Sequence, residues 1–110
     1  MRNEGLMAWI LLVLAGLLEV GWAYTMKLSD GFTKLNYTLI TLVTVSASFA
    51  LLSIAMRSLP LGTAYTIWTG IGAVGAFVVG IVFLGEAATP LRILAAMLII
   101  SGLLLMKLAS

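Results

Sequence analysis

The acidic side chain with the most unusual surroundings is Glu19, which lies inside the apolar stretch LLEVGWAYTMK at residues 17–27. A charged group at the centre of a membrane-spanning helix costs about 3 kcal/mol, so such a group is retained where it has a partner or a function. The other acidic residues, Glu4, Asp30 and Glu86, fall at the ends of apolar segments. Glu19 is therefore a candidate site for a proton or a cation. The structural alternative is a protonated Glu19 in a helix–helix hydrogen bond.

Aromatic and hydroxyl side chains at a comparable depth are candidates to surround this carboxylate. Trp22 lies one helical turn from Glu19 on the same face. Tyr65 and Trp68 share one face of the segment AYTIWTG, and Ser48 lies in the segment before it. Aromatic rings can stack on a flat cation, and the hydroxyls of Ser48 and Tyr65 could hold the carboxylate in one rotamer. Ordinary core packing is the alternative for each of these residues.

The composition argues against most catalytic chemistry. The chain has no cysteine and no histidine, which removes thiolates, the most frequent metal ligand and the most frequent general base. Its net charge of +2 is too small and too scattered for a nucleic-acid surface. We therefore expect no enzymatic activity, no cofactor, no metal ion and no nucleic-acid partner.

The hydropathy places the chain in a membrane. Of its 110 residues, 63% are hydrophobic and 9% are charged, which is too little polar surface for a soluble domain. The first apolar segment is long and lacks a small-residue cleavage site, so a retained helix is favoured over a signal peptide. Segments of the roughly 20 residues that a spanning helix needs recur four times. We predict one all-α transmembrane domain over residues 1–110, with helices at 7–28, 35–56, 60–84 and 90–108.

The breaks between these segments carry turn and capping signals. The sequence SDGF at 29–32 predicts a turn in which Gly31 adopts a positive φ. Pro60 stands at the start of the third helix, where it lacks only an unpaired donor, and Thr89 and Pro90 suit the N-cap and first position of the fourth. Because each connection is short, consecutive helices should be antiparallel neighbours.

The basic residues give no preference for one orientation in the membrane. They divide equally between the two ends of the predicted bundle, with Arg2, Arg57 and Lys107 at one end and Lys27, Lys34 and Arg92 at the other. A start at Met7, which is an alternative initiation site, would leave two against three. The positive-inside rule therefore orients neither end, and we expect copies to insert both ways round. The alternative is that translation order fixes one orientation despite the equal charges.

Two patches of small residues could mediate close helix contacts. Gly72, Ala76 and Gly80 recur every four residues in the third helix, and Ser101 and Gly102 form a second small surface in the fourth. Dimerisation and packing within one bundle are both consistent with either patch. The small size of the bundle together with dual insertion favours an antiparallel homodimer.

Three further residues have candidate roles. Gly70 and Gly72 flank the region of the third helix beside Trp68 and are possible hinges. Lys107 ends the fourth helix, where a lysine both favours the helix dipole and can extend to the lipid headgroups. That placement alone does not assign Lys107 a function.

Two long stretches, LAGLLEVGWAYTMKLSDGFTK and LPLGTAYTIWTGIGAVGA, resemble those of the small multidrug resistance transporters. The resemblance covers the chain from Met7 onward. Within that family the chain is similar to the guanidinium exporter branch, on the basis of Trp22, the form of the second stretch and Lys107. The branch that exports quaternary ammonium compounds typically has a small residue near the position of Trp22 and no lysine at that of Lys107.

The resemblance implies an antiparallel dual-topology homodimer in the bacterial inner (plasma) membrane. It also implies that Glu19 binds both the proton and the substrate, and that Lys107 has a role specific to the branch. The residues implied to line the site and to orient the carboxylate are Trp22, Ser48, Tyr65 and Trp68.

We therefore expect a proton-coupled antiporter that exports guanidinium and small guanidinyl compounds by alternating access. Protons and the small cationic substrate would compete for two Glu19 carboxylates, one from each copy, and membrane lipid would be the surrounding partner. One alternative is a broad-specificity exporter of quaternary ammonium or aromatic cations. Another is a small dual-topology ion channel, although a single carboxylate with few lining hydroxyls argues against a continuous polar path.

Overall fold

The computed structural model describes residues 2–110, with side chains from residue 5 onward, and contains four helices. The Arg2 and Glu4 side chains and a start at Met1 lie outside the described residues. Each helix is long and apolar enough to cross a membrane, which confirms the predicted all-α membrane protein. The helices are α1 (Arg2–Leu28), α2 (Leu35–Ala55), α3 (Leu61–Leu84) and α4 (Pro90–Leu108).

These bounds differ little from the predicted ones. The largest difference is at the start of α1, which begins at Arg2 rather than at residue 7. Residues 2–6 continue the helix, and none of them is a helix-breaking proline.

The turn between α1 and α2 has more left-handed backbone than the sequence predicts. Gly31 has a φ of 70°, as expected, but Asp30 (52°) and Phe32 (65°) also lie in the left-handed region. Ser29 compensates by bonding on both sides of the turn: its hydroxyl donates to the Met26 carbonyl at 2.6 Å and accepts from the Phe32 amide at 3.1 Å. The buried serine thus holds an otherwise unfavourable turn.

The other two connections follow the capping signals. Pro60 has a φ of −61° and directly precedes α3 as its N-cap. Gly85 ends α3 with a φ of 69°, a conformation that glycine adopts without a steric penalty. Thr89 caps α4 by accepting a hydrogen bond from the Arg92 amide at 3.3 Å, and Pro90 is the first helical residue.

Helix α1 is the centre of the protomer. It packs along both α2 and α3, whereas α2 and α3 touch only briefly, and α4 packs on α3 alone. Helix α4 buries no residue within the protomer. The protomer is thin, with extents of 44 × 35 × 17 Å, so its least dimension is less than two helix diameters of about 10–12 Å each. The buried core consists of Leu12, Ala15, Leu52, Ala55, Ala64, Ile67 and Trp68.

The small-residue patch of α3 is used inside the protomer. Gly72 is buried against the Glu19 side chain and Gly80 is buried against that of Glu86. Internal packing is therefore the correct interpretation for these two glycines. Gly102 in α4 differs, because a methyl group added there would meet nothing within 4 Å. The exposed Ser101–Gly102 surface is the small patch that stays available to another molecule.

Candidate functional site

Glu19 lies in the middle of α1 with its carboxyl group against α3. It sits so close to Gly72 that a Cβ atom added to that glycine would overlap the carboxyl carbon and Oε1. Oε1 is buried and has no hydrogen-bond partner among the described residues. A buried acceptor without a partner is costly, and far more so when it is ionised. A carboxyl group in this position can carry a proton, or its oxygens can accept hydrogen bonds from a cation.

Trp22 presents a second unpaired polar group one helical turn away. Its indole Nε1 is also buried without a hydrogen-bond partner in the described part of the chain. The ring itself is half-buried and packs against the core. One face of α1 thus carries an unpaired acceptor and, one helical turn away, an unpaired donor.

Ser48 connects all three of the helices around this position. Its hydroxyl donates to the Ala15 carbonyl of α1 at 2.7 Å and accepts from Trp68 Nε1 of α3 at 3.1 Å. Ser48 is fully buried and Trp68 is 5% exposed. The predicted direct bond from Ser48 to Glu19 is therefore absent, because a hydroxyl has one hydrogen and Ala15 receives it. Ser48 instead holds the α1 backbone one turn before Glu19.

Tyr65 lies away from Glu19 within the protomer. Its ring is 53% exposed and stands 5.6 Å from the Trp68 ring, measured between centroids. It lines an apolar groove of about 520 Å³ between α3 and α4. No hydrogen bond among the described residues involves its hydroxyl, so the predicted contact with the Glu19 carboxylate is not made within one protomer. A role for Tyr65 toward the substrate stays a prediction.

Lys107 has an aromatic partner. Its Nζ lies 4.4 Å from the centre of the Trp9 ring, which is a cation–π geometry. Apart from this side-chain contact, α1 and α4 do not approach each other within the described residues. Lys107 thus ties the end of α4 to the beginning of α1, a role that the sequence could not reveal because the two residues are far apart along the chain.

The two predicted hinge glycines are sites of close approach. A Cβ atom at Gly70 would overlap Leu103 of α4, just as one at Gly72 would overlap Glu19. Helix α3 runs without interruption from Leu61 to Leu84. Bending at these glycines stays a prediction.

Sequence reasoning missed one polar contact between α1 and α2. The hydroxyls of Thr25 and Thr41 lie 2.7 Å apart, and Thr41 is 1% exposed. Thr41 also donates to the Tyr37 carbonyl of its own helix at 2.8 Å. In the sequence, Thr41 stands among apolar residues of α2, and this placement was the signal from which a buried polar contact could have been predicted.

The site has the chemistry of a single carboxylate. Among the described residues, no group of three acidic, cysteine or histidine side chains could hold a metal ion. One protomer presents Glu19 with aromatic and hydroxyl neighbours on a thin layer of helices. This arrangement has the chemistry to bind a proton or an organic cation.

Ser48→Ala should destabilise the protein by about 1–3 kcal/mol, since the change leaves the buried Trp68 indole N–H unpaired and removes the hydroxyl that bonds to the Ala15 carbonyl. The measurement is the midpoint of thermal unfolding in detergent. Ser46→Ala is the matched control, because the exposed Ser46 hydroxyl bonds only to the Leu42 carbonyl of its own helix. Equal midpoints for the two variants would contradict the proposed bridging role.

Comparison with known proteins identifies relatives over nearly the whole chain. The model of the Small Multidrug Resistance protein family matches residues 7–99. The guanidinium exporter of Yersinia pseudotuberculosis serotype I (strain IP32953) is 59% identical over 104 residues, which are 94% of this chain and 100% of the relative. The guanidinium exporters of Salmonella typhimurium and Escherichia coli (strain K12) are each 53% identical over 104 residues, covering 94% of this chain and 99% of each relative.

Proposed function

Because this chain belongs to the small multidrug resistance family, we propose that it exports guanidinium and small guanidinyl compounds in exchange for protons. The chain is a multi-pass transporter of the bacterial inner membrane, with four helices able to span it. The relatives named guanidinium exporters support the choice of substrate. The observation that carries the mechanism is the buried Oε1 of Glu19, which has no partner among the described residues.

An unpaired carboxylate at this depth suits a competition between a proton and guanidinium. When Glu19 is protonated, a cation gains little by entering. When the proton leaves, the carboxylate can accept N–H groups of a planar guanidinium through charge-assisted hydrogen bonds. Guanidinium is weakly hydrated and flat, so it enters an apolar site flanked by the Trp22 and Trp68 rings at lower cost than a compact ammonium would. Mutual exclusion of the two ligands couples their movements.

A second copy of the chain would complete the site. The thin protomer leaves α4 with an apolar outer face, where Leu98 is 64% and Leu105 is 66% exposed, beside the open Gly102 position. Helix–helix contacts in membranes favour such small residues. Two protomers joined there would bring two Glu19 carboxylates and two exposed Tyr65 rings toward a shared interior.

The equal division of basic residues favours an antiparallel arrangement of the two copies. In an inverted pair, exchanging the conformations of the two protomers converts an inward-open form into an outward-open one. The two forms are then nearly equal in energy. The transporter would pass between the inward-open and outward-open forms with either protons or substrate bound. Movement of protons in one direction and of substrate in the other yields antiport.

Proteoliposomes test the proposal directly. With an acidic interior and the membrane potential clamped, radiolabelled guanidinium should accumulate inside the vesicles against its gradient, because protons leaving the lumen drive its entry. Tetraethylammonium should accumulate at least about tenfold less, since it has no N–H group to pair with carboxylates. Strong tetraethylammonium accumulation would favour the broad exporter. Guanidinium flux that only equalises the two concentrations would favour the channel.

Insertion of copies both ways round can be tested by labelling a single introduced thiol from one side of the membrane. The chain has no cysteine, so Ser58→Cys in the exposed α2–α3 connection introduces a unique thiol. A membrane-impermeant thiol reagent added to whole spheroplasts should label about half of the copies, as expected when neither end carries the excess of basic charge. Labelling of nearly all copies, or of nearly none, would show one fixed orientation.

A further inference from the structure

A groove of about 200 Å³ opens between α1 and α3 at the end of the protomer that carries the α1–α2 and α3–α4 connections. Its walls are of two kinds, apolar along the floor and polar at the rim. The floor is formed by Val20, Ala23, Ala76, Val79, Gly80 and Leu84, and the rim by Tyr24, Lys27 and Glu86.

The position of the rim along the helices places it at the boundary between membrane and water. Lys27 lies in the last turn of α1, and Glu86 follows the end of α3 at Leu84. Both side chains are exposed. The Tyr24 ring packs against that of Phe83 at a centroid distance of 6.0 Å, and aromatic residues concentrate at this level of a membrane. The floor continues from the rim into the hydrocarbon region.

The rim presents two opposite charges that do not pair with each other. The ion pair of Glu86 is to Arg92, at 3.8 Å from Nη2 to Oε1. Arg92 is held on the other side of the connection, where Nη1 donates to the Ala87 carbonyl at 2.8 Å and the guanidinium lies 5.2 Å from the centre of the Phe77 ring. Lys27 forms no ion pair among residues 5–110. The groove therefore has an ammonium and a carboxylate at its mouth.

We propose that this groove binds a phospholipid whose headgroup carries both a phosphate and a primary ammonium group, as in phosphatidylethanolamine. Lys27 contacts the phosphate, Glu86 accepts hydrogen bonds from the ammonium group, and the upper carbons of the lipid lie on the apolar floor. An anionic lipid would satisfy Lys27 but bring its phosphate toward the Glu86 carboxylate. Phosphatidylcholine has no N–H group to donate to Glu86, and a small free cation would meet Lys27.

Native mass spectrometry of the wild-type protein tests this without any substitution. The protein is reconstituted in equal amounts of phosphatidylethanolamine, phosphatidylcholine and phosphatidylglycerol, then released gently into detergent. Phosphatidylethanolamine should be retained about fivefold over each of the other two, the size expected for a partly exposed ion pair. Equal retention of phosphatidylcholine, or a preference for phosphatidylglycerol, would overturn the proposal. The readout is lipid binding and does not depend on which substrate is transported.

Substitutions then locate the site. Lys27→Gln and Glu86→Gln should each remove the preference for phosphatidylethanolamine, whereas Lys34→Gln and Asp30→Asn, which neutralise exposed charges at the same end, should keep it. Ala76→Leu should also remove it by filling the floor while leaving both charges in place. A preference that survives both rim substitutions would show that the lipid binds elsewhere and overturn the assignment.

Discussion

Replacing Glu19 by glutamine should abolish proton-driven accumulation of guanidinium, with a loss of about hundredfold or more. Glutamine has nearly the same shape, so it should still fit against Gly72, but it can neither release a proton nor pair with a cation. A hydrogen bond to a charged group contributes about 1.5–3 kcal/mol, and two copies would lose one such group each. The measurement is uptake of radiolabelled guanidinium into acid-loaded proteoliposomes.

The control for this variant is Asp30→Asn, which removes an exposed carboxylate from the α1–α2 connection and should leave accumulation unchanged. Asparagine also tolerates the left-handed backbone at this position, so the turn should persist. Guanidinium accumulation by Glu19→Gln at more than a tenth of the wild-type level would contradict the shared-carboxylate mechanism.

Replacing Gly72 by alanine should lower guanidinium accumulation by about tenfold or more, because it should displace the Glu19 carboxyl group. The added methyl group would overlap the carboxyl group of Glu19. The helices cannot simply separate, because Gly75 packs against Val20 and Gly16 against Ile71 in the same α1–α3 contact. Glu19 must therefore leave its position. Overpacking of this kind costs typically about 1–3 kcal/mol, which should also lower the midpoint of thermal unfolding.

Two further variants separate the local clash from a general effect of alanine in a helix. Gly62→Ala in the first turn of α3 meets no atom within 4 Å and should not lower the unfolding midpoint. In the double variant Glu19→Ala with Gly72→Ala, the clash is gone, so the unfolding midpoint should recover while guanidinium accumulation stays lost. Wild-type accumulation by the single Gly72→Ala variant would show that the close contact does not position the carboxylate.

Several features follow from local sequence alone. The four helices are specified by apolar segments of spanning length, and their ends by residues that act within a turn or two, such as Gly31, Thr89 and Pro90. Glu19 could be selected as the candidate site from the cost of a carboxylate within a span, because that cost rises with depth in the membrane and the depth can be estimated from the position in the sequence. These signals are short-range, so no tertiary information is needed to interpret them.

The partners of each side chain depended on how the helices rotate and cross. Spacing placed Ser48 at the depth of Glu19, but only the packed structure shows that its hydroxyl reaches the Ala15 carbonyl. The same holds for Gly72, whose small size serves contact with Glu19 inside the protomer. In a membrane-spanning bundle nearly every surface is apolar, so hydropathy does not distinguish the faces of a helix. Which face of a helix becomes buried is decided by close packing between small and large side chains. That packing forms only when the helices have come together.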